Sequence, residues 1–159
     1  MISPKLVETE AEEFERRAWM SVLSAAADND LLARFEFLTA RPQFTWLRAP
    51  EFGLVMVRGR AGGEGAAFNL GEMTVTRAAV RLEDGVAGFG YVAGRRKRAA
   101  EIAALVDAMM QSPRWRDDAE RLVVAPLAAG IAATRTERQR KVAATKVEFF
   151  TMVRDRKPA

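Results

Sequence analysis

The sequence predicts an α+β fold, a mainly antiparallel sheet with helices packed on one face. Three observations carry that prediction. Apolar residues recur at helical spacing near both ends, Val- and Thr-rich runs punctuated by glycine fill the middle, and a hairpin-type turn separates consecutive runs. Hairpins force antiparallel pairing, and an antiparallel sheet can keep one face solvated. At 159 residues the chain reads as a single domain, 1–159, with 1–15 as a frayed N-terminal segment and 154–159 as a flexible tail.

The first helix is expected from about Thr9 to Asp28. Phe14, Ala18, Val22 and Ala25 fall at near-helical spacing with Trp19 and Leu23 beside them, and glutamates crowd the N-terminal end. Asp28 or Asp30 offers a cap for a second helix carrying Leu31, Phe35 and Leu38, stopped by Arg41-Pro42. "FTWLRA" reads as a short strand ending near Pro50, and "LVMVRGRA" as another opened by Gly53. "GGEG" then makes a turn into "AAFNLGEMTVTRAAVRL", a strand with a break expected near Gly71.

Asp84-Gly85 is the strongest short hairpin signal. In "VAGFGYVAG", Ala87, Phe89 and Tyr91 share one face, while Gly88 and Gly90 on the other leave room for a closely packed neighbour. "RRKRAAEIAALVDAMMQ" is the clearest helix, with Ala99, Ile102, Leu105, Val106 and Met109 as its buried stripe and Ser112-Pro113 as its end. "RLVVAPL" reads as a short strand, Ala128 to about Ala144 as a helix with a thin apolar face, and "KVEFFTMV" as a closing strand.

Composition narrows the chemistry. The chain has no Cys and no His, so it offers no thiolate, no cysteine-held zinc or iron–sulfur cluster and no imidazole proton shuttle. No metal site is expected. The acidic N-terminus lacks the apolar stretch of a signal peptide and no run approaches a membrane span, so a cytoplasmic protein with no membrane partner is expected. The net charge is only +4, yet base is clustered in "GRRKR", "RTERQRK" and "RDRK", which suits a polyanion or an acidic protein surface.

Three groups of residues are candidate contacts for substrate or partner. Arg77 and Arg81 lie four residues apart, on one face of a regular strand, where two guanidiniums could hold phosphate or phosphonate oxygens or simply face solvent. Arg95 and Lys97 sit where a helix begins, a place the macrodipole makes unfavourable for cations unless an anionic partner offsets the cost. Adjacent Phe149 and Phe150 put an aromatic on each side of a strand, and a one-sided core can cover only one of them. The "GGEG" turn leads into a strand rather than a helix, so a hairpin turn is favoured over a phosphate-binding loop.

"RRAWMSVL", "GLVMVRGRAGGEGAAFNLGEMTVTRAAVRLEDG", "GYVAGRRKRAAEIAALVDAMMQ", "APL" and "VEFFTMVR", in that order from about Arg16 to Arg154, together resemble the G subunit of the bacterial carbon–phosphorus lyase core complex, the PhnG family. That resemblance implies phosphonate catabolism. It implies a step in which ATP and an alkyl phosphonate give a ribose 1-phosphonate 5-triphosphate plus adenine, with ATP as substrate of the complex and no cofactor in this chain. The implied partners are other core subunits of the I, H and J types, with ATPase-like subunits. A separate radical subunit breaks the carbon–phosphorus bond, and a chain without cysteine cannot be that subunit.

The expectation is therefore an assembly subunit of a transferase complex, inactive alone, whose catalytic residues are unknown. A nucleic-acid-binding module using a basic face is the alternative, although the aromatics fall on expected core stripes and no nucleic acid partner is expected. A stand-alone enzyme built on Arg77, Arg81 and Asp84 is a third reading.

Overall fold

The computed structural model describes residues 4–145. Helices α1 (Pro4–Ala25) and α2 (Asp28–Glu36) precede three strands, β1 (Phe44–Arg60), β2 (Ala67–Leu82) and β3 (Ala87–Ala93). Helices α3 (Lys97–Gln111), α4 (Arg116–Ala119) and α5 (Ala125–Ala144) follow, with a π-helical stretch, Glu120–Val124, joining the last two. The sheet is antiparallel in the order β1-β2-β3, and α3 lies across all three strands. The predicted α+β class holds.

α3 is buried nearly all round, from Ala99 to Met110 apart from Glu101, so it is the centre of the molecule rather than a cover. Its approach to the sheet depends on Gly88 and Gly90. A Cβ at Gly90 would collide with the Ala100 carbonyl, and one at Gly88 with the backbone of Ala104 and Ala108. The expected close packing beside the two glycines is thus a helix lying directly on strand backbone. The rest of the core comes from Trp19 and Leu23 of α1, Leu31 and Phe35 of α2, Val80 and Leu82 of β2, and Val123 and Leu127 near the start of α5.

Several expectations need correction. Among the residues of α1 whose side chains are described, Trp19 and Leu23 are buried, as is Ala26 just past its end, while Phe14 is 75% exposed and Ala18 is exposed. The apolar stripe therefore lies one residue away from the one anticipated. α1 begins at Pro4, and α2 is preceded by Ala27 with no side-chain cap; Asp28 and Asp30 occupy its first turn instead. "FTWLRA" and "LVMVRGR" form one continuous strand, with register shifts either side of Arg48 absorbing Pro50 at an edge position. "RLVVAPL" is helical, not a strand. Ala119, Val123 and Leu127 recur every four residues and reach the core, and Pro126, which has no N–H to give an upstream carbonyl, follows directly on the π-helical stretch inside one continuous helical run. Packing there overrides the β preference of two valines. The "KVEFFTMV" strand lies outside the described residues.

One buried charge ties the layers together. Asp107 of α3 is 0% exposed and accepts five hydrogen bonds. Arg16 Nε and Nη2 reach it at 3.2 and 2.8 Å, Trp19 Nε1 at 2.9 Å, the Phe89 backbone N–H at 2.9 Å and Gln111 Nε2 at 3.2 Å. Gln111 Nε2 also donates to the Ala87 carbonyl at 3.1 Å, so side chains of α3 satisfy backbone groups along the outer edge of β3.

Candidate partner interface

The β3–α3 junction carries the basic cluster. Gly94 adopts φ +81°, the left-handed conformation the turn requires. Buried Thr76 staples the turn: its hydroxyl donates to the Gly94 carbonyl at 2.6 Å and accepts from the Arg96 N–H at 2.9 Å. The four cations then divide. Arg96 turns inward, donating to the Ala26 carbonyl at 2.6 Å and pairing with Asp28, so it joins the starts of α2 and α3. Arg98 pairs with Glu101 at 2.6 Å. Arg95 and Lys97 both pack on the ring of Phe52, at 5.6 and 5.1 Å from its centroid, and stay exposed. Among the described residues neither has an acidic partner within ion-pair distance. The two cations singled out from sequence are the pair the fold leaves unneutralised, and the structural role of Arg96 between them was not foreseen.

Arg77 and Arg81 do share a face, the one turned away from the helices, with Phe89 and Tyr91 of β3. Arg77 donates from Nε to Glu51 at 2.9 Å, and Glu51 also accepts from Arg48 at 2.9 Å. The Arg77 guanidinium lies over Gly53, where even a Cβ would be in ordinary contact, 3.7 Å from its Cζ. Arg81 has no ion pair among the described residues. The two α-carbons are about 13 Å apart along the strand, and Arg77 is already paired. They therefore sit as separate cations on an open sheet face. Phe149 and Phe150 lie outside the described residues.

A separate apolar exposure lies along the sheet. β3 pairs with β2 only from Val75 to Arg81, so apart from the Thr74 carbonyl, which accepts from the Gly94 N–H at 2.8 Å, Leu54–Arg60 of β1 and residues 67–74 of β2 are paired with one another alone. They form a two-stranded hairpin closed by the Ala61–Gly63 turn, where Gly62 and Gly63 take φ +61° and +88°. The glycine-rich segment is thus a hairpin turn, as expected. Leu54, Met56, Phe68, Leu70 and Met73 are all exposed, Leu54 at 62% and Leu70 at 66%. A register shift opposite Val57 and Arg58 leaves Leu70 as an extra residue on β2, and it settles over Gly59, where a Cβ would lie 2.8 Å from Leu70 Cδ1. The hairpin displays Val55, Val57, Phe68, Leu70 and Met73 on the open-sheet side, and Leu54 and Met56 on the side that begins with Phe52, Arg95 and Lys97.

These residues were not singled out from sequence, yet "LVMV" carried the signal. Four consecutive apolar residues in a strand put apolar groups on both faces, which a one-sided sheet cannot cover.

A further cationic surface lies between α2 and α5. A groove of about 540 Å³ is floored by Ala26 and Leu127 and rimmed by Arg34, Arg135 and Arg138, two of them from the "RTERQRK" cluster. Among the described residues no group of three His, Cys, Asp or Glu could hold a metal ion, and no helix is long and apolar enough to cross a membrane. Asp84 holds the β2–β3 turn: Ser112 Oγ donates to it at 2.6 Å and the Val86 N–H at 3.1 Å, and these bonds lower its pKa. Both of its oxygens are engaged in the turn, which leaves it poorly placed to serve as a general acid or base.

Residues 14–155 match the family described as "Phosphonate metabolism protein PhnG". A protein of Rhizobium meliloti (strain 1021), "Alpha-D-ribose 1-methylphosphonate 5-triphosphate synthase subunit PhnG", is 43% identical over 140 residues, 88% of this chain and 89% of that protein.

Proposed function

This chain belongs to the PhnG family, and on that premise we propose that it is the G-type subunit of a ribose 1-phosphonate 5-triphosphate synthase in bacterial phosphonate metabolism. The complex uses ATP and an alkyl phosphonate, and this chain contributes surface rather than the acid–base centre. The observation that carries this reading is the 43% identity, over 88% of the chain, to a protein named as a synthase subunit. The sequence supports the division of labour, because a chain without His or Cys lacks the usual neutral-pH proton shuttle and nucleophile. The basic residues favour a docking role over a nucleic-acid groove: Arg96 is used inside the fold, and Arg77 and Arg98 are paired with carboxylates.

The partners proposed are core subunits, an I-type subunit first among them, in the cytoplasm. Co-expression with that subunit followed by size-exclusion chromatography tests the reading. Co-elution is expected, and the chain alone should release no adenine from ATP and methylphosphonate. Separate elution at micromolar concentration, or turnover by the isolated chain, would refute it. Arg95→Glu with Lys97→Glu should weaken assembly several-fold while leaving the circular dichroism of the isolated chain unchanged, since exposed substitutions move stability by only about 0.5 kcal/mol.

A further inference from the structure

We infer that the distal β1–β2 hairpin is a docking arm, inserted into an apolar cleft of a different synthase subunit whose rim is acidic where it meets Arg95 and Lys97. The inference rests on the assembly reading and deepens it by naming the surface and the partner's chemistry.

A two-stranded hairpin alone is at best marginally stable in water, and this one exposes apolar side chains on both faces. It spans seven residues of β1, about 23 Å long and about 10 Å wide. Its two faces together offer a flat projection of about 500 Å², which pleating and side chains bring to the scale of the ~800 Å² per partner of a standard interface. Covering both faces takes two layers, so the occupant must enclose the arm.

A second copy fits poorly. Two arms stacked face to face would cover one face of each and leave the other wet. A symmetric contact with the arms parallel would also bring Arg95 and Lys97 of one copy toward those of the other, where like charges repel, and one with the arms antiparallel would leave those cations without an acidic partner at the base. A cleft with carboxylates at its mouth meets both demands. The outer edge of β1 along Leu54–Arg60 faces away from β2 and can add backbone hydrogen bonds to a strand of that cleft.

The test uses the full chain co-expressed with the other synthase subunits. Leu54→Ser combined with Leu70→Ser should keep the far-ultraviolet spectrum and unfolding midpoint of the isolated chain and weaken association at least about tenfold. A second measurement needs no variant. Amide exchange in residues 54–60 and 67–74 of the wild-type chain should slow at least about tenfold on assembly, while the amides of α3 change little. Unaltered assembly of a folded double variant, or no added protection of the arm, overturns the inference and leaves the assembly reading standing. Arm protection in the isolated chain that grows with its concentration would identify a second copy as the occupant, and overturns it too. Failure of the wild type to co-elute with any subunit overturns the assembly reading and this one together.

Discussion

The same two strands live in two different environments. Near their outer ends β1 and β2 lie with β3 and α3, and Val80 and Leu82 are buried in the core. Past Gly53 and Val75 the ladder continues with the same antiparallel pairing, but the third strand is gone and leucines and methionines face water. The β1–β2 ladder itself runs through both halves, so it is not what sets them apart, although β2 is bonded along both edges in one half and along a single edge in the other. The difference is burial, the dominant favourable term in both folding and association. One half buries the helix-side face of its strands in folding, although Trp46, Leu47, Phe89 and Tyr91 stay exposed there, whereas the other buries neither face.

That contrast can be broken first in the body. Asp107→Ala leaves Arg16, Trp19 Nε1 and the Phe89 N–H without their shared acceptor. The isolated chain should lose about 3 kcal/mol, the lower end for breaking a buried ion pair. The unfolding midpoint, read by thermal circular dichroism, should then fall by roughly 6–12 °C.

Gly90→Ala should cost about 1–3 kcal/mol by forcing α3 off the sheet, seen as a lower denaturant midpoint with an unchanged slope. Leu54→Ser in the arm should shift the same midpoint of the isolated chain by no more than about 0.5 kcal/mol. A large loss there would mean that the arm belongs to the body's cooperative unit.

The smallest effect concerns Asp84, whose pKa in the fold lies below its ordinary value of 3.8 because Ser112 and the Val86 N–H donate to its ionised form. A lowered folded value gives stability that is complete above the unfolded pKa and lost as pH falls through the folded one. Asp84→Asn should therefore differ from wild type by a constant amount above about pH 5, and the gap should narrow in more acidic solution. Parallel stability curves down to pH 2 would remove Asp84 from the acid response.

Much of this architecture was legible in the chain. The stripe Ala99, Ile102, Leu105, Val106 and Met109, the Asp84-Gly85 hairpin and the glycine pair of β3 each follow from one local rule, and each is found. Long-range matters were hidden. Nothing near Asp107 announces that Arg16, 91 residues earlier, will neutralise it. Period alone could not separate two adjacent faces of α1, because Ala18 and Trp19 serve either stripe until a core selects one. At the site, Arg95 and Lys97 were identified by charge at a helix start, whereas the arm was missed because its exposed leucines look like core in sequence.

The seam between α3 and the glycines of β3 has a mechanical consequence. Helix and strand meet there with almost no intervening side chain, so they have little play to rock or slide. Thr76, two residues past the end of the arm, is clamped to the turn that begins α3. The hairpin therefore springs from a stiff pedestal, which limits the directions its base can take before any neighbour arrives. Less orientational freedom is then left to lose on contact.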